Sequence, residues 1–296
     1  MTHSASGLIF LDKPKGITSF KALNVIKARI GSAKVGHTGT LDAFASGLLL
    51  ALAGSLTKLV PLFVGLDKTY EAVVTFGQGT DTLDPEGQVT SRGEIPDLES
   101  LRGALPGFQG DIEQLPPIFS AVHVGGQRAH RLARAGRVPE LKPRRVRIYA
   151  LEILSYRPPD LTLRIRCSKG TYVRSLARDL AEAVGTCAFV SSLRRTHVGD
   201  FSVAEAVDPE EFLPEKNLLA PAEFLRRMAG IENLLLKENA GSRVRHGIPL
   251  RDDFFLQPPA GDGTFALFSV AGELIAVARR ENGRYHYQFV MPGSGV

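Results

Sequence analysis

KVGHTGTLDAFASGLLLALAGSLTKL runs from Lys34 to Leu59, and the fold is expected to form around this stretch. Its first half is a polar loop divided by glycines, the residues that best tolerate sharp backbone bends or close approach to a ligand. Leucines dominate its second half, with no charge before Lys58, which predicts a buried helix. Asp42 therefore stands on a loop at the mouth of a core element, a common place for a reactive group.

The residues alone leave two interpretations of Asp42 open. An aspartate before a predicted helix is often an N-cap or a turn acid, and His37 by itself is more often packed or solvated than catalytic. The stretch from Gly36 to Gly47, however, resembles the signature loop of the TruB family of tRNA pseudouridine synthases, G-H-T-G-[AT]-L-D-P-x-A-x-G. It departs from that pattern once, since Ala43 replaces the usual proline.

Further segments match the same family in order along the chain. KPKGITS at 13–19 resembles the first family motif, KGTYVRSL at 169–176 resembles another, and LRRT at 193–196 resembles a third. A helix is predicted from Thr171, as its N-cap, to Gly185. Arg174 would lie in the first turn of this helix, where a cation opposes the helix dipole and therefore needs an anionic neighbour. In the family, this arginine pairs with the catalytic aspartate.

The resemblance covers roughly residues 7–230 and implies an enzyme, a tRNA pseudouridine(55) synthase. Such an isomerase converts the uridine at position 55, in the T arm of tRNA, to pseudouridine. Its implied catalytic residues are Asp42 as nucleophile or base, Tyr70 as the aromatic platform for a flipped base, and Arg174 as the partner of Asp42. A carboxylate near its usual pKa is ionised at neutral pH, and a guanidinium offsets the cost of burying it.

Four more residues are expected to bind the substrate. By resemblance, His37 would fill the space that the extruded base leaves in the RNA stack, and Leu193 would wall the base pocket. Gly36 belongs to the signature loop. Lys13 has two open interpretations, a structural one and a phosphate-facing one.

A basic segment points to a polyanionic partner. Residues 128–147 contain eight Arg or Lys and one acid, a larger excess than the net +5 of the entire chain. A short helix is predicted over 128–136, with Arg128, Arg131 and Arg134 near one face. A row of arginines is often a solvated helix face, but here so little acid offsets it that RNA binding is favoured.

The same segment resembles the RNA-gripping insertion of TruB enzymes, placed here at about 116–146. His123 replaces the usual lysine and His130 the usual tyrosine, and each change would weaken or alter an RNA contact. The expected partner is therefore tRNA, through its T stem-loop.

The pattern of turn and strand residues changes near Ile231, toward the C-terminal end. Gly-, Pro- and Asp-rich turns separate short predicted strands at 264–270, 273–279 and 285–291, which indicates a small hairpin-rich β unit. It resembles a PUA domain, an RNA-binding module common at this end of the family. The expected domains are a catalytic one, 1–230, and a PUA-like one, 231–296.

The expected fold class is mixed α/β: a largely antiparallel central sheet, as in the pseudouridine synthase fold, with the small all-β unit after it. Helices are predicted at 19–30, 97–105, 207–213 and 221–229, and strands at 8–12, 68–77, 146–154, 161–167 and 189–197. In the first helix, Ser19 is expected to be the cap, with Phe20, Leu23 and Ile26 on one apolar face.

The numbers and spacing of particular residues also indicate which metals, cofactors and cellular locations to expect. Cys167 and Cys187 form no CxxC or zinc pattern, so free thiols in a reducing cytoplasm are the simplest interpretation. The histidines show no ligand spacing, so we expect no metal. The implied rearrangement involves no redox change, so we expect no cofactor. The apolar run at 48–53 is too short for a bilayer. We expect a cytoplasmic monomer without membrane association.

The sequence leaves two alternative functions beside the isomerase. The first is a catalytically silent RNA-binding protein of the same lineage, which the presence of Asp42, Tyr70 and Arg174 disfavours. The second is an enzyme that cleaves glycosides with Asp42, for which Asp81 or Asp84 would supply the second carboxylate. That alternative gives the basic segment no role.

Overall fold

The computed structural model describes the chain over residues 6–31, 34–120, 122–137 and 139–292. Three side chains also lie outside the described part, those of Arg128, His130 and Arg134. The described residues form a ten-stranded sheet, a four-stranded sheet and two two-stranded hairpins. None of their helices reaches the length and hydropathy that crossing a bilayer would need.

The strands, in chain order, are β1 (Leu8–Lys13), β2 (Val35–His37), β3 (Ser46–Ala53), β4 (Lys68–Phe76), β5 (Gln78–Thr80), β6 (Val89–Arg92), β7 (Gly110–Gln114), β8 (His123–Val124), β9 (Gln127–Arg128), β10 (Arg144–Arg157), β11 (Asp160–Cys167), β12 (Ala188–Val198), β13 (Phe201–Ser202), β14 (Leu218–Leu219), β15 (Ile231–Leu235), β16 (Gly263–Phe268), β17 (Leu274–Glu281) and β18 (Arg284–Val290). The helices are α1 (Ser19–Ile30), α2 (Val60–Val64), α3 (Leu98–Ala104), α4 (Ala129–Arg134), α5 (Val173–Ala183), α6 (Pro214–Asn217), α7 (Pro221–Arg227) and α8 (Ala240–Arg245).

The large sheet has the order β14-β1-β3-β12-β4-β11-β10-β7, with β2 added to β3 and β13 to β12. All of these neighbours pair antiparallel except β3 and β12, which are parallel. The expected fold class, a mixed α/β protein with a largely antiparallel sheet, is confirmed. Strand β12 lies in the middle of this sheet, between the loop-bearing strand β3 and the Tyr70 strand β4.

The predicted helix after the polar loop is wrong, because Ser46–Ala53 is strand β3. Every residue of this strand is buried. Leu49 and Ala51 pack in the core on one face of the sheet, whereas Leu48 and Leu50 pack in the core on the other. A strand covered on both faces has an unbroken apolar sequence, so its period does not distinguish it from a buried helix. Short helical segments follow it, at Gly54–Leu59 and in α2.

Helix α1 has the predicted span, and Leu23 and Ile26 are buried as predicted, but its N-cap and the position of Phe20 differ from the prediction. Thr18 is the N-cap and accepts from the Lys21 amide, while Gly31 ends the helix with a φ of +82°. Ser19, the expected cap, is buried and bonds elsewhere. Phe20 is not on the buried face, since 66% of its surface is exposed.

Two other helix predictions need correction. The segment 207–213 holds only a 3-10 turn at Pro209–Glu211, before the short helix α6. Thr171 does not cap α5, because Tyr172 holds the N-cap position and the Thr171 hydroxyl donates to the Ser168 carbonyl. The shift of one residue still leaves Arg174 in the first turn of α5.

The four-stranded sheet of the C-terminal part has the order β15-β16-β17-β18. The predicted hairpins are present, and Asn282 and Gly283 turn between the last two strands with φ of +51° and +74°. The β15 strand, which joins in parallel, was not predicted. Phe268 and Phe289 of this sheet share a hydrophobic core with β1 and β3. The division into domains 1–230 and 231–296 stays a prediction.

Candidate active site

The loop that carries Asp42 connects two strands that pair with each other. Strand β2 pairs antiparallel with the far half of β3, so residues 38–45 form a loop that returns on itself. Within this loop the Ala45 amide donates to the Asp42 carbonyl over 3.2 Å. The element that follows is a strand, so Asp42 is not the N-cap of a helix. The Asp42 carboxylate is therefore not used to cap a helix.

The first family motif holds this loop from one side. The Ser19 hydroxyl donates to the Leu41 carbonyl (3.0 Å) and accepts from the Leu41 amide (2.9 Å). The Gly16 amide donates to the Ala43 carbonyl over 2.8 Å. Both residues next to Asp42 are thereby fixed through their backbones, which restricts where the carboxylate can point.

Lys13 completes this support from inside the protein. The side chain is fully buried, and its ammonium group donates to the carbonyls of Ala45 (2.6 Å), Pro14 (2.8 Å), Ile17 (2.8 Å) and Ala43 (3.5 Å). Desolvation lowers the pKa of Lys13 to about 8, against the opposing charge of Asp42. The ammonium is enclosed by carbonyls rather than presented to a phosphate. This environment fits the structural interpretation of Lys13 rather than the phosphate-facing one.

Arg195 holds the same loop from the other side. Its side chain is buried, and the guanidinium donates to the carbonyls of Leu48 (2.7 Å) and Gly39 (3.1 Å). Strands β3 and β12 approach so closely here that a Cβ on Gly47 would lie 2.3 Å from the Arg195 carbonyl oxygen. Gly47 also has a φ of +103°, which side chains rarely tolerate. This signature glycine is therefore required by the parallel strand contact.

The predicted pairing of Asp42 with Arg174 is present. An oxygen of the Asp42 carboxylate lies 2.9 Å from Arg174 Nη2. The other terminal nitrogen, Nη1, lies 3.0 Å from the carboxylate of Asp84 and donates to the Thr82 carbonyl over 2.8 Å. Nη2 also donates to the Phe119 carbonyl (3.0 Å). Since the Arg174 side chain is 5% exposed, these contacts fix a buried cation between two acids.

The two acids differ in their surroundings. Asp84 is 6% exposed and accepts from the Thr82 hydroxyl (2.5 Å) and the Glu86 amide (3.1 Å), so its own turn holds it. The Asp42 side chain is 42% exposed. Asp84 is thus the internal counter-ion of Arg174, and Asp42 is the acid that a ligand can reach.

Burial raises the pKa of Asp42, and the nearby charge of Asp84 raises it further. The Arg174 guanidinium opposes both effects by its charge and by hydrogen bonding. Burial and a second negative charge disfavour the charged carboxylate and so raise its pKa, whereas a neighbouring positive charge favours it and so lowers the pKa. Arg174, with a smaller contribution from the charge of Lys13, therefore favours the ionised carboxylate.

A cleft of about 290 Å³ opens in front of this ion pair. Tyr70 of β4 and Leu193 of β12 line it, together with Asp42, Arg174 and the segment 168–173. Burial raises the pKa of Tyr70, so its phenol is neutral at ordinary pH. Within the described residues, no group of three or more His, Cys, Asp or Glu could hold a metal ion.

The other predicted substrate contacts lie outside the centre of the cleft. His37 is half-buried at the end of β2, one residue before the cleft-lining Thr38. Gly36 pairs with Leu52, and a Cβ there would meet its neighbours at ordinary distances, so sterics do not demand glycine. Arg131 is exposed on α4. The side chains of Arg128 and Arg134 lie outside the described part of the chain.

Sequence reasoning missed two residues of this site. The sequence indicates Asp84 only as the second acid of a glycoside-cleaving enzyme, not as a partner of Arg174, because it lies in a turn rich in acids and threonines. It assigns no role to Arg195 beyond its place in the LRRT motif. A usable signal existed for Asp84, because a first-turn arginine needs anions. Arg195 carried no such local signal, since its chain neighbours are the polar residues Arg194 and Thr196.

Models of one family match most of the chain. Residues 27–173 match the N-terminal domain of TruB family pseudouridylate synthases, and residues 174–229 match the C-terminal domain of tRNA pseudouridylate synthase B. A tRNA pseudouridine synthase B of Borreliella burgdorferi (strain ZS7) is 42% identical over 82% of this chain and 86% of its own length. One of Azoarcus sp. (strain BH72) is 39% identical over 94% of this chain and 92% of its own length.

Solved structures share the fold. A chain of an H/ACA RNP bound to a substrate RNA superposes with a TM-score of 0.73 at 23% identity, covering 99% of this chain and 87% of that one. A chain from a Cbf5-Nop10-Gar1 complex superposes with a TM-score of 0.72 at 25% identity, covering 98% of this chain and 86% of that one. The likeness extends over both sheets.

Proposed function

Because the chain belongs to the TruB family of pseudouridylate synthases, we propose that it isomerises uridine 55 in the T arm of tRNA to pseudouridine, with Asp42 as the reacting group. The enzyme class and the conversion of uridine to pseudouridine in tRNA follow from the family. One observation supports the assignment of Asp42 most strongly. It is the exposed member of an Asp–Arg–Asp arrangement whose other two side chains are buried, and it lines a cleft of about 290 Å³.

The reaction needs an ionised carboxylate and a closed site. The bond from C1′ to N1 breaks, the base turns, and C5 bonds to C1′. C5 loses a proton and N1 gains one, so the product has the same atoms and electrons as the substrate. The Asp42 carboxylate can attack C1′, attack the base, or remove a sugar proton. All three routes require it to be unprotonated, which is the form that Arg174 favours.

The cleft can hold a base swung out of its helix. Flipping costs a few kcal/mol, and stacking on an aromatic ring returns about 1–3 kcal/mol per base. Tyr70 would provide the ring and Leu193 the opposite wall, since both line the cleft. His37 would occupy the vacated space in the RNA stack from the loop edge.

The basic insertion at 116–146 would grip the RNA from outside the cleft. Arg131 is exposed there, and Arg128 and Arg134 belong to the same short segment. The insertion is joined to the site, because the Phe119 carbonyl accepts from Arg174. Binding of the T stem-loop should therefore weaken as salt rises, by roughly 0.7–0.9 logarithmic units of affinity per tenfold salt for each phosphate contact.

The remaining parts of the proposal concern organisation. Residues 231–296 would act as a PUA-like RNA-binding domain beside a catalytic domain of residues 1–230. The packing of Phe268 and Phe289 against the core shared with β1 and β3 supports a fixed relation between the two. We further propose that the protein works as a monomer in the cytoplasm.

Mapping of pseudouridine in an unmodified tRNA transcript tests the proposed function. The wild-type protein should convert one uridine, at position 55, without any added metal or cofactor. A transcript with cytidine at position 55 is the matched control and should gain no pseudouridine in the T loop. Conversion at another position, or none at all, would overturn the proposed substrate site.

A further inference from the structure

The exposed face of helix α1 combines an aromatic ring with unopposed positive charge. We infer that this face, defined by Phe20, Lys21, Asn24 and Lys27, is a second RNA contact, outside the cleft and the basic insertion. The inference rests on the proposed function, since it assigns this face to the same RNA substrate. It commits to one occupant, an unpaired nucleotide of the RNA with its adjoining phosphates.

Phe20 is the most exposed of the large apolar side chains in the described chain, at 66%. Asn24 and Lys27 follow it at helical spacing, so the three share one face of α1. The Lys27 ammonium lies 5.4 Å from the centre of the Phe20 ring, which orients the ring along the helix surface. A single exposed apolar residue is ordinary by itself. Its alignment with a cation on the same face of the helix is the informative feature.

The charge of this helix is one-sided. Lys21, Lys27 and Arg29 lie within α1, and the helix contains no Asp or Glu. Arg29, at the far end, is taken up by an ion pair with Glu210 at 3.3 Å. Lys21 and Lys27 are the other two cations of the helix, one in its first turn and one in its last. A row of phosphates complements such a surface, and a base complements the ring.

The face begins beside the catalytic loop. Ser19, the residue before Phe20, bonds both backbone groups of Leu41, the neighbour of Asp42. Lys15 donates to the hydroxyl of Ser192, which precedes the cleft wall at Leu193, over 3.1 Å. A nucleotide held at Asp42 would thus bring the adjoining strand of RNA to the N-terminal end of α1. Phe20 is positioned to stack one of its bases.

Affinity for unmodified tRNA, measured at moderate salt, tests the aromatic part. F20A should weaken binding by about fivefold or more, the equivalent of one lost stacking contact, and F20W should restore it. The matched control is I95A, which truncates another apolar side chain that is 51% exposed. I95A should bind like the wild type.

The salt dependence of RNA affinity tests the contribution of Lys21 and Lys27. The doubly substituted K21Q/K27Q protein should show a shallower dependence of affinity on salt, by about 0.7–0.9 per lost phosphate contact. Equal affinity of wild type, F20A and K21Q/K27Q, in a protein that does form pseudouridine, would overturn this inference and leave the proposed function standing. If the wild type forms no pseudouridine, the proposed function fails first, and the binding data then judge the RNA contact separately.

Discussion

Arg174 and Asp84 form a buried ion pair of 3.0 Å in which neither side chain is more than 6% exposed. The pair lies behind the Asp42 carboxylate and holds the Arg174 fork so that its other nitrogen faces Asp42. A buried arginine with a permanent counter-ion does not depend on Asp42 for its own neutralisation. The reacting carboxylate can therefore change its charge or bonding without leaving a buried cation unpaired.

Replacement of Asp84 should damage both stability and catalysis. Breaking a buried ion pair from one side typically costs about 3–5 kcal/mol, so D84N should lower the free energy of unfolding by an amount of this order. The rate of conversion within the RNA complex should fall because Arg174 loses its anchor. Denaturant unfolding and single-turnover assays measure the two effects.

The control for D84N is D81N, in the same turn. Asp81 is exposed and accepts from the Gln88 amide, a bond that asparagine can keep. A surface change of this kind should alter stability by less than about 0.5 kcal/mol. Comparable losses in D81N and D84N would show that the turn, and not the ion pair, is what matters.

Rate against pH should reveal the charges around Asp42. Burial raises its pKa, so the wild-type rate should fall, as pH decreases, at a pH above the usual aspartate value of about 3.9. The Asp84 charge raises this pKa and the Arg174 charge lowers it. The acid limb should therefore move to lower pH in D84N and to higher pH in R174Q.

These opposite shifts are specific to the charge arrangement. Single-turnover rates at saturating enzyme, measured from acid to neutral pH, isolate them from changes in RNA affinity. D81N should leave the acid limb where the wild type has it. Shifts of D84N and R174Q in the same direction would contradict the electrostatic account of Asp42.

Gly47 should not tolerate a side chain. In G47A the new Cβ would lie 2.3 Å from the Arg195 carbonyl oxygen, at a φ of +103°. Overpacking typically costs about 1–3 kcal/mol, and the backbone strain adds to it. The parallel contact of β3 and β12 would have to separate, and the loop with Asp42 would move with it. Thermal unfolding and activity should both decline.

The matched control for G47A is G103A. Gly103 lies in helix α3, and a Cβ there would meet nothing within 4 Å. Alanine in a helix interior is favoured over glycine by roughly 0.5–1 kcal/mol, so G103A should stabilise slightly. If G47A were as stable as G103A, the close strand approach at Arg195 would be disproved.

Tyr70 should act mainly through its ring. Y70A removes the stacking surface and should cost about 1–3 kcal/mol in the complex with an extruded base, whereas Y70F keeps the ring. The rate of conversion should thus fall more in Y70A than in Y70F. Fluorescence of an RNA with 2-aminopurine next to the target would report base extrusion. Equal loss in both variants would point to the hydroxyl group instead.

Much of this architecture could be predicted from local patterns. The positions of β1, β4, β11 and β12 follow from alternating or β-rich runs bounded by turns, and the Asp42–Arg174 pair follows from the motif match together with the needs of a first-turn cation. The strands rest on short-range patterns that the sequence carries directly, whereas the partner of Arg174 came from the family resemblance.

The failures came from long-range packing. The leucine run of β3 is apolar because a core covers each face of the sheet, and nothing local reveals the second core. Ser19 is not the cap because its hydroxyl instead donates to the carbonyl and accepts from the amide of Leu41, which lies in a distant loop. Asp84 joined the site through Arg174, which is far away in sequence. Such pairings arise from topology rather than from neighbouring residues.

The central claim is that the Asp42 carboxylate carries out the chemistry, and D42N tests it most directly. Asparagine keeps the size of the side chain and removes its charge, while the Asp84–Arg174 pair stays in place to support the fold. We predict that D42N binds unmodified tRNA with wild-type affinity but forms no pseudouridine at position 55 in a single turnover, whereas D111N, a change at an exposed acid, does. Formation of pseudouridine at an undiminished rate by D42N would contradict the account.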